Sequence, residues 1–329
     1  MKSLVVLNEC MFSDKQKEFL KRNFKEVSFY TDTSDELTAI KRIKDKNIVV
    51  LDQFIWTPSE ELFKKCENIE LIVVNTTAYD NIPVNILKKY KIKLANLAQY
   101  ATQDVAEVAI TMMMSLNSNL DLARRIVQDK SFVYKKYKHT KLVRDIWPSH
   151  GVIPYLIRHQ IAGQTAGIVG LGNVGKSIAK LCQGLGMKTI GFNRTPKNVR
   201  GVKLVLLKKL FQDSDIIFIA LKYDPKTMKN FISKDKLRLV KTGSILISTS
   251  PSELVDVDDL IKHNKFRGIG FDYFVTNKIM DLKKTMKGNV IITPHLGHQS
   301  FDAYGNLTNS IIETVVNYAK NKPLHLVKF

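Results

Sequence analysis

The chain has 329 residues, 44% of them hydrophobic and 25% charged, and carries 51 Lys and Arg against 31 Asp and Glu, a formal charge of +20 at pH 7. It is longer than the ~100–200 residues of one typical domain, and no apolar run approaches the ~18–20 residues of a membrane span, so a soluble chain of two domains without a membrane partner is expected. The positive charge suits phosphates, but the Lys residues are scattered singly with no basic block or interleaved aromatics, so nucleic acid is not expected as a partner.

From the first residue, short apolar runs alternate with amphipathic stretches: SLVVLN then KQKEFLKRNF, VSFYT then ELTAIKRIK, NIVVLDQF then SEELFKKC, LIVVNTT then VNILKKY, and IKLANL. Runs of four to six apolar residues between helical patterns are the mark of buried parallel strands with crossover helices. The apolar part of the start, MKSLVVLNEC, is too short for a secretory segment. Cys10, Cys66 and Cys182 are odd in number and lack CxxC spacing, which speaks against a disulfide framework or a cysteine metal site and for a reducing cytoplasm. A helix is predicted from Thr102, with Val105, Ala109, Met112, Met113 and Leu116 on one face and the Met112–Met114 run read as helix core. A polar, aromatic segment follows from Lys130 to His159, containing Phe132, Tyr134, Tyr137, Ile146, Trp147 and Tyr155.

A second α/β series begins at Thr165: TAGIVG, a helix to Gly186, KTIGFN, a short KLVLLKKLF element, DIIFIAL, a helix from Lys234, SILIST, a helix from Asp256, RGIGFDYF and NVIITP. The last helix, Ser300 to Lys320, follows the completed sheet and is expected to return to the first domain. The predicted fold is α/β, with two Rossmann-like or flavodoxin-like domains of parallel sheet and a cleft between them. One domain is residues 1–99 plus 302–329, and the dinucleotide-binding domain is 100–301.

Gly170-Leu171-Gly172-Asn173-Val174-Gly175 sits directly between a predicted strand and helix, the context that makes GxGxxG informative. The first Gly permits the turn, the second lets backbone approach a pyrophosphate, the third lets helix and strand pack, and the helix start offers N–H donors. Eighteen residues after Gly175, where an NAD site usually carries an acid for the ribose, stands Asn193, followed by Arg194, Thr195 and Lys197. That charge accepts a 2′-phosphate, favouring NADP(H) with NAD(H) possible; the other reading of Arg194 is a charge stacked on adenine.

Further motifs follow in order: Tyr79-Asp80-Asn81-Ile82, Asn96-Leu97-Ala98-Gln99-Tyr100, Val105-Ala106-Glu107, Leu254-Val255-Asp256, Gly270-Phe271-Asp272 and Pro294-His295-Leu296-Gly297. With these the chain resembles the D-isomer-specific 2-hydroxyacid dehydrogenase family along nearly its whole length. The resemblance implies that His295 gives its proton to a carbonyl oxygen as hydride arrives and that Asp272 contacts the nicotinamide carboxamide. It places Thr249 in the cofactor site and Thr76, Thr77, Ala78 and Tyr100 in the substrate site, and implies a homodimer paired through the helix from Thr102 and the Lys130–His159 segment.

Two departures bear on the chemistry. Where the family carries the Arg that grips a 2-oxoacid, the chain reads Thr249-Ser250-Pro251-Ser252, and Pro251 has neither charge nor donor. Where the family carries the Glu that pairs with the His, the chain has Asn277. Glu253 stands too close to Pro251 in sequence to replace the Glu, and Lys222 and His298 are extra cationic candidates, each more often a surface residue than a substitute clamp. The expected function is NAD(P)H-dependent reduction of a small carbonyl compound, or oxidation of the hydroxy compound, with a non-standard substrate. The alternative is a catalytically impaired dinucleotide-binding relative acting as a sensor or scaffold.

Overall fold

The computed structural model describes residues 1–8, 11–128, 158–263, 265–272, 282 and 289–329. Cys10, Asn277 and residues 130–157 of the aromatic segment, with Phe132, Tyr134, Tyr137, Ile146, Trp147 and Tyr155, lie outside the described residues. The chain divides into two compact units, Met1–Ala101 with Ser300–Phe329, and Thr102–Gln299. Both are α/β with parallel sheets.

The first unit is built from β1 (Ser3–Val6), α1 (Asp14–Asn23), β2 (Glu26–Phe29), α2 (Glu36–Ile43), β3 (Ile48–Leu51), α3 (Glu60–Lys65), β4 (Leu71–Val74), α4 (Val84–Lys89) and β5 (Lys93–Asn96). Its five strands pair in the order β2-β1-β3-β4-β5, all parallel. Strands β1, β3 and β4 are buried along their whole length, which is why they read as unbroken apolar runs rather than as alternation. Helix starts are set by local chemistry: Ser13 and Gln16 form a reciprocal capping box on α1, and Asp35 accepts the Thr38 N–H at the start of α2.

The second unit contains α5 (Thr102–Asn117), α6 (Leu120–Gln128), β6 (Thr165–Val169), α7 (Asn173–Gly184), β7 (Lys188–Phe192), β8 (Val202–Leu204), α8 (Leu207–Asp213), β9 (Ile216–Ile219), α9 (Lys234–Leu237), β10 (Ile245–Ser248), α10 (Val257–Lys262), β11 (Gly268–Phe271) and β12 (Val290–Ile292). Its seven strands run β12-β11-β10-β9-β6-β7-β8. The chain moves outward from β6 in one direction and then restarts at β9 on the other side. The strand order therefore reverses between β6 and β9, the position where open α/β sheets bind ligands at the carboxyl ends of their strands. Helix α5 packs on β10 and β11, and glycines in β11 allow it: a Cβ at Gly270 would lie 3.1 Å from Met112 Sδ.

One detail differs from the sequence reading and two are made definite. Met112 and Met113 are core, but Met114 is exposed, because a third consecutive helical residue turns out of the packed face. The helix from Lys234 is a single turn, α9, and KLVLLKKLF divides into edge strand β8 and helix α8.

The C-terminal helix α11 (Phe301–Ala319) packs in the first unit, where Gln16 Nε2 donates to Thr308 Oγ1 and Asn309 Oδ1 at 3.0 Å each. No described helix is long and apolar enough to cross a membrane. Phe218, fully buried in β9 at the centre of the larger sheet, tests the packing. Phe218→Ala should cost ~3–5 kcal/mol, seen in urea as a lower midpoint at unchanged slope. A loss below ~1 kcal/mol would mean the sheet centre is not packed as described.

Candidate functional site

The glycine loop leaves β6 at Val169. Gly170 has φ +100°, and a Cβ there would lie 2.5 Å from the Ala220 carbonyl oxygen. Gly175 lies so close to Gly170 that a Cβ would come within 1.9 Å of its carbonyl oxygen, so α7 starts against the loop only because Gly175 has no side chain. Gly172 differs from both: a Cβ on it meets nothing within 4 Å. Open space thus lies over the start of α7, where Gly172 is the N-cap without a side-chain cap and the first turn holds no acid. The first-turn N–H groups of Asn173, Val174 and their neighbours have no helical acceptor, so the loop fits a pyrophosphate.

Asn193, at the end of β7, braces this loop. Its Oδ1 accepts the Leu171 N–H at 3.0 Å and its Nδ2 donates to the Thr195 carbonyl at 2.6 Å. Both ends of the amide are engaged inside the protein, while Arg194, Thr195 and Lys197 stand exposed beside it.

At the end of β10, Thr249 N and Oγ1 both donate to the Ile219 carbonyl, at 3.1 and 3.3 Å. Ser250 is buried; its Oγ accepts the Leu221 N–H and donates to the Leu221 carbonyl, each at 2.8 Å. These bonds fix the neighbouring ends of β9 and β10. Pro251, with φ −50°, then opens a 3₁₀ turn over Ser252–Leu254. Nothing in the sequence singled out Ser250, because a Ser after a strand reads as ordinary loop.

The histidine turn hangs from one carboxylate. Asp272 is 1% exposed and follows β11. Its Oδ1 accepts Thr293 Oγ1 at 2.7 Å and the Leu296 N–H at 2.8 Å, its Oδ2 accepts the Gly297 N–H at 2.9 Å, and its backbone carbonyl accepts the His295 N–H at 2.6 Å. Gly297 is required, since a Cβ would lie 2.7 Å from Asp272 Oδ2.

Within this bracket His295 takes φ +60° and ψ +53°, a left-handed conformation that costs an L residue roughly 1–2 kcal/mol. Strain of this kind persists where surrounding bonds over-determine the turn, and the four bonds to Asp272 do so. His295 is an exposed residue whose ring stands 4.5 Å, centroid to centroid, from that of His298. Partial burial of the ring, and then the His298 charge, lower its pKa below the ordinary 6.5, while Asp272 opposes the shift. Lys222 is exposed, and Glu253 accepts the Ser252 hydroxyl at 3.3 Å.

In the first unit, the loop after β4 is internally bonded. Thr76 Oγ1 donates to the Ala78 carbonyl at 2.7 Å, Thr77 Oγ1 to the Leu97 carbonyl at 3.2 Å, and Asn96 Nδ2 to the Thr77 carbonyl at 2.6 Å. Buried Gln53 joins the loop at both ends, donating to Thr76 Oγ1 and accepting the Asn81 N–H. Gln53 gives no periodic signal in the sequence, being a Gln just past a strand end. Burial, then Tyr304 and Asp52, push the Tyr100 hydroxyl up to about 12, so it remains a hydrogen-bond donor at neutral pH. No cluster of three metal-ligating side chains occurs among the described residues.

Asp272→Asn tests the bracket. It removes the charge that raises the His295 pKa and presents an amide N–H₂ to N–H donors, so the His295 titration, followed by its ring-proton NMR signal, should move to lower pH. An unchanged or higher titration would show that Asp272 does not govern the turn.

Residues 110–297 match the family described as "D-isomer specific 2-hydroxyacid dehydrogenase, NAD binding domain". The glyoxylate reductase of Thermococcus litoralis is 28% identical over 82% of this chain and 80% of its own length. The hydroxypyruvate reductase of Blautia hydrogenotrophica is 25% identical over 99% and 94%. Among solved structures, an acyclic imino acid reductase in complex with NADPH and D-Arg superposes with a TM-score of 0.81 at 25% identity, covering 100% of both chains. A D-2-hydroxyisocaproate dehydrogenase has the same fold, with a TM-score of 0.81 at 22% identity over 99% of each chain. The family match runs from within the helix that opens the second unit to its histidine turn, more than half of the chain, and the chain therefore belongs to the D-isomer-specific 2-hydroxyacid dehydrogenase family.

Proposed function

We propose that this chain reduces a small carbonyl compound with NADPH, His295 giving its proton to the carbonyl oxygen. The family makes it an oxidoreductase acting on CH–OH or C=O, with a nicotinamide dinucleotide as cofactor. When bound, that cofactor supplies the hydride. One observation carries the assignment to His295: a strained histidine, in a turn that four hydrogen bonds tie to Asp272, follows the last strand of the sheet that also bears the glycine loop. Strain maintained by so much bonding supports a role in chemistry.

Gly170, Gly172 and Gly175 shape the pyrophosphate loop, and Asn173 and Val174 contribute N–H donors to it. Asn193 sets the loop, and Arg194 with Thr195 or Lys197 takes the 2′-phosphate; the imino acid reductase with NADPH supports that preference. Thr249 and Asp272 complete the nicotinamide end. Thr76, Thr77, Ala78 and Tyr100 are the proposed substrate contacts, Tyr100 as a neutral donor. A homodimer in the cytoplasm completes the reading. Pro251 favours one rival, a dinucleotide-binding relative without turnover, because it supplies no cation to a 2-oxoacid.

The cofactor assignment is tested by titrating wild type and Arg194→Ala with NADPH and NADH. The variant should lose NADPH affinity on the order of ten- to a hundredfold and leave NADH nearly unchanged; equal losses would mean stacking on adenine instead.

Simple 2-oxoacids such as pyruvate, glyoxylate and hydroxypyruvate should be poor substrates, since loss of one electrostatic clamp typically costs ~10²–10³ in rate. Carbonyl reduction needs His295 protonated, and its pKa is lowered, so kcat/KM should fall as pH rises through a value below 6.5. A screen of ketones, imines and phosphorylated carbonyls, repeated with His295→Ala, decides between the two readings. Tight NADPH binding with no turnover of any compound would favour the rival.

A further inference from the structure

We propose that the open edge of the seven-stranded sheet, β8 with the start of α8, is a docking surface for an extended acidic segment of another protein. Charge is the first support. Residues 158–212 contain ten Lys and Arg and no Asp or Glu, where 31 acids in 329 residues would put about five. Seven of the ten, from Lys188 to Lys209, belong to β7, β8, the loop between them and the first turn of α8, and all seven are exposed. Among the described residues, Lys209 is the one of the seven in an ion pair, with Asp213 at 2.8 Å. Asp215 is already engaged by the Thr165 N–H and the Lys241 ammonium. Cations scattered singly in the sequence are thus gathered by the fold beside one edge, and their field attracts acidic groups.

The second support is the backbone. β8 ends the strand order, and no described strand pairs with its outer side. Leu204 is in register with Gly191, and the Val205 N–H donates to the Gly191 carbonyl at 3.0 Å. Successive residues of a strand turn their backbone groups to opposite sides, so Lys203 and Val205 face β7 while the N–H and carbonyl of Leu204 point to the open edge.

The third support is a set of residues that the fold itself does not ask for. Leu206 is the N-cap of α8, where Ser, Thr, Asp or Asn would satisfy a free helix N–H, yet it is 79% exposed and makes no capping bond. Lys208 and Lys209 follow in the first turn, where carboxylates are favoured. Leu204 is 41% exposed, while Val205 packs on the core, so the two leucines stand on one side of an extended stretch. An acidic strand with alternating apolar residues uses all of these features: its backbone pairs with Leu204, its carboxylates meet the lysines and its apolar side chains cover the leucines.

Other occupants fit less well. Like charge rejects a second copy of the same edge, the usual effect of a lysine on an edge strand. Leucines gain nothing from a phosphate backbone, and the one aromatic residue between Lys188 and Lys209, Phe192, packs against the core instead of offering a face to bases.

The test uses the full chain and two fluorescently labelled synthetic peptides of equal length, one alternating Glu with Val and one alternating Lys with Val. Anisotropy should show binding of the Glu peptide that weakens as salt is raised, with the Lys peptide at least roughly tenfold poorer. In amide hydrogen exchange, the Glu peptide should slow the Leu204 N–H. Leu206→Ser should raise the urea midpoint by supplying a cap and weaken the Glu peptide by about tenfold, a loss that misfolding does not explain in a more stable protein. Lys203→Glu combined with Lys208→Glu should reverse the preference, so that the Lys peptide binds more tightly. NADPH binding, read by nicotinamide fluorescence, should be unchanged in these variants, which separates this surface from the dinucleotide site. Equal binding of both peptides, no protection at Leu204, unchanged binding after Leu206→Ser, or a matching loss of NADPH affinity would overturn the inference. So would tighter binding of a single-stranded oligonucleotide of the same charge, or protection of the Leu204 N–H in the free protein that disappears on dilution, the sign of a second copy.

Discussion

The second unit depends on the burial of one carboxylate. An ion as deeply enclosed as Asp272 is tolerable only if its oxygens are satisfied, and Thr293, Leu296 and Gly297 supply the donors. Two of the three donors are backbone N–H groups, so the requirement fixes the path of the chain rather than a choice of side chains. The path that satisfies it puts His295 in a left-handed conformation and forbids a side chain at residue 297. Asp272 is itself held by its own N–H to the Ser248 carbonyl, at 3.0 Å across β10 and β11. Sheet, carboxylate, turn and histidine therefore form one chain of constraints.

The glycine loop is governed by close approach instead of charge. Gly170 and Gly175 are excluded from bearing side chains by backbone atoms, whereas Gly172 faces open space. The first two preserve the fold and the third preserves access, a division of roles that the spacing alone does not reveal. Asn193 adds a connection between that loop and the basic stretch at 194–197, because one amide both accepts from Leu171 and donates to Thr195. An Asp there would keep the first bond and lose the second.

The α/β class was legible because parallel strands buried on both faces leave unbroken apolar runs, as IIFI and ILIS do in β9 and β10. The glycine loop was legible because backbone geometry admits so few residue types. What escaped was the polar bracing: Gln53, Ser248, Ser250 and the internal use of Asn193. Each is a polar residue at a strand end, and its partner lies from 2 to 31 residues away, so no periodicity exposes it. Met114 shows the opposite failure, in which composition suggested burial and the helical period decided against it. The shift of His295 was also hidden, since it comes from burial and from a ring three residues on whose orientation only the folded turn determines.

Pro251 sits at the end of its strand without strain. Its φ of −50° lies within proline's natural range, and it stands at the entry to a 3₁₀ turn, where the missing N–H would have no helical acceptor. The Leu254 N–H closes the turn on the Pro251 carbonyl at 3.1 Å, and Ser250 before it remains tied to Leu221. The backbone at this point is thus determined by bonds that do not involve the side chain of residue 251. A cation or a proline satisfies the fold equally well, so fold likeness says nothing about which substrate charge is accepted. That question falls to the groups around His295, where the His298 ring and the Asp272 carboxylate act on the imidazole in opposite directions.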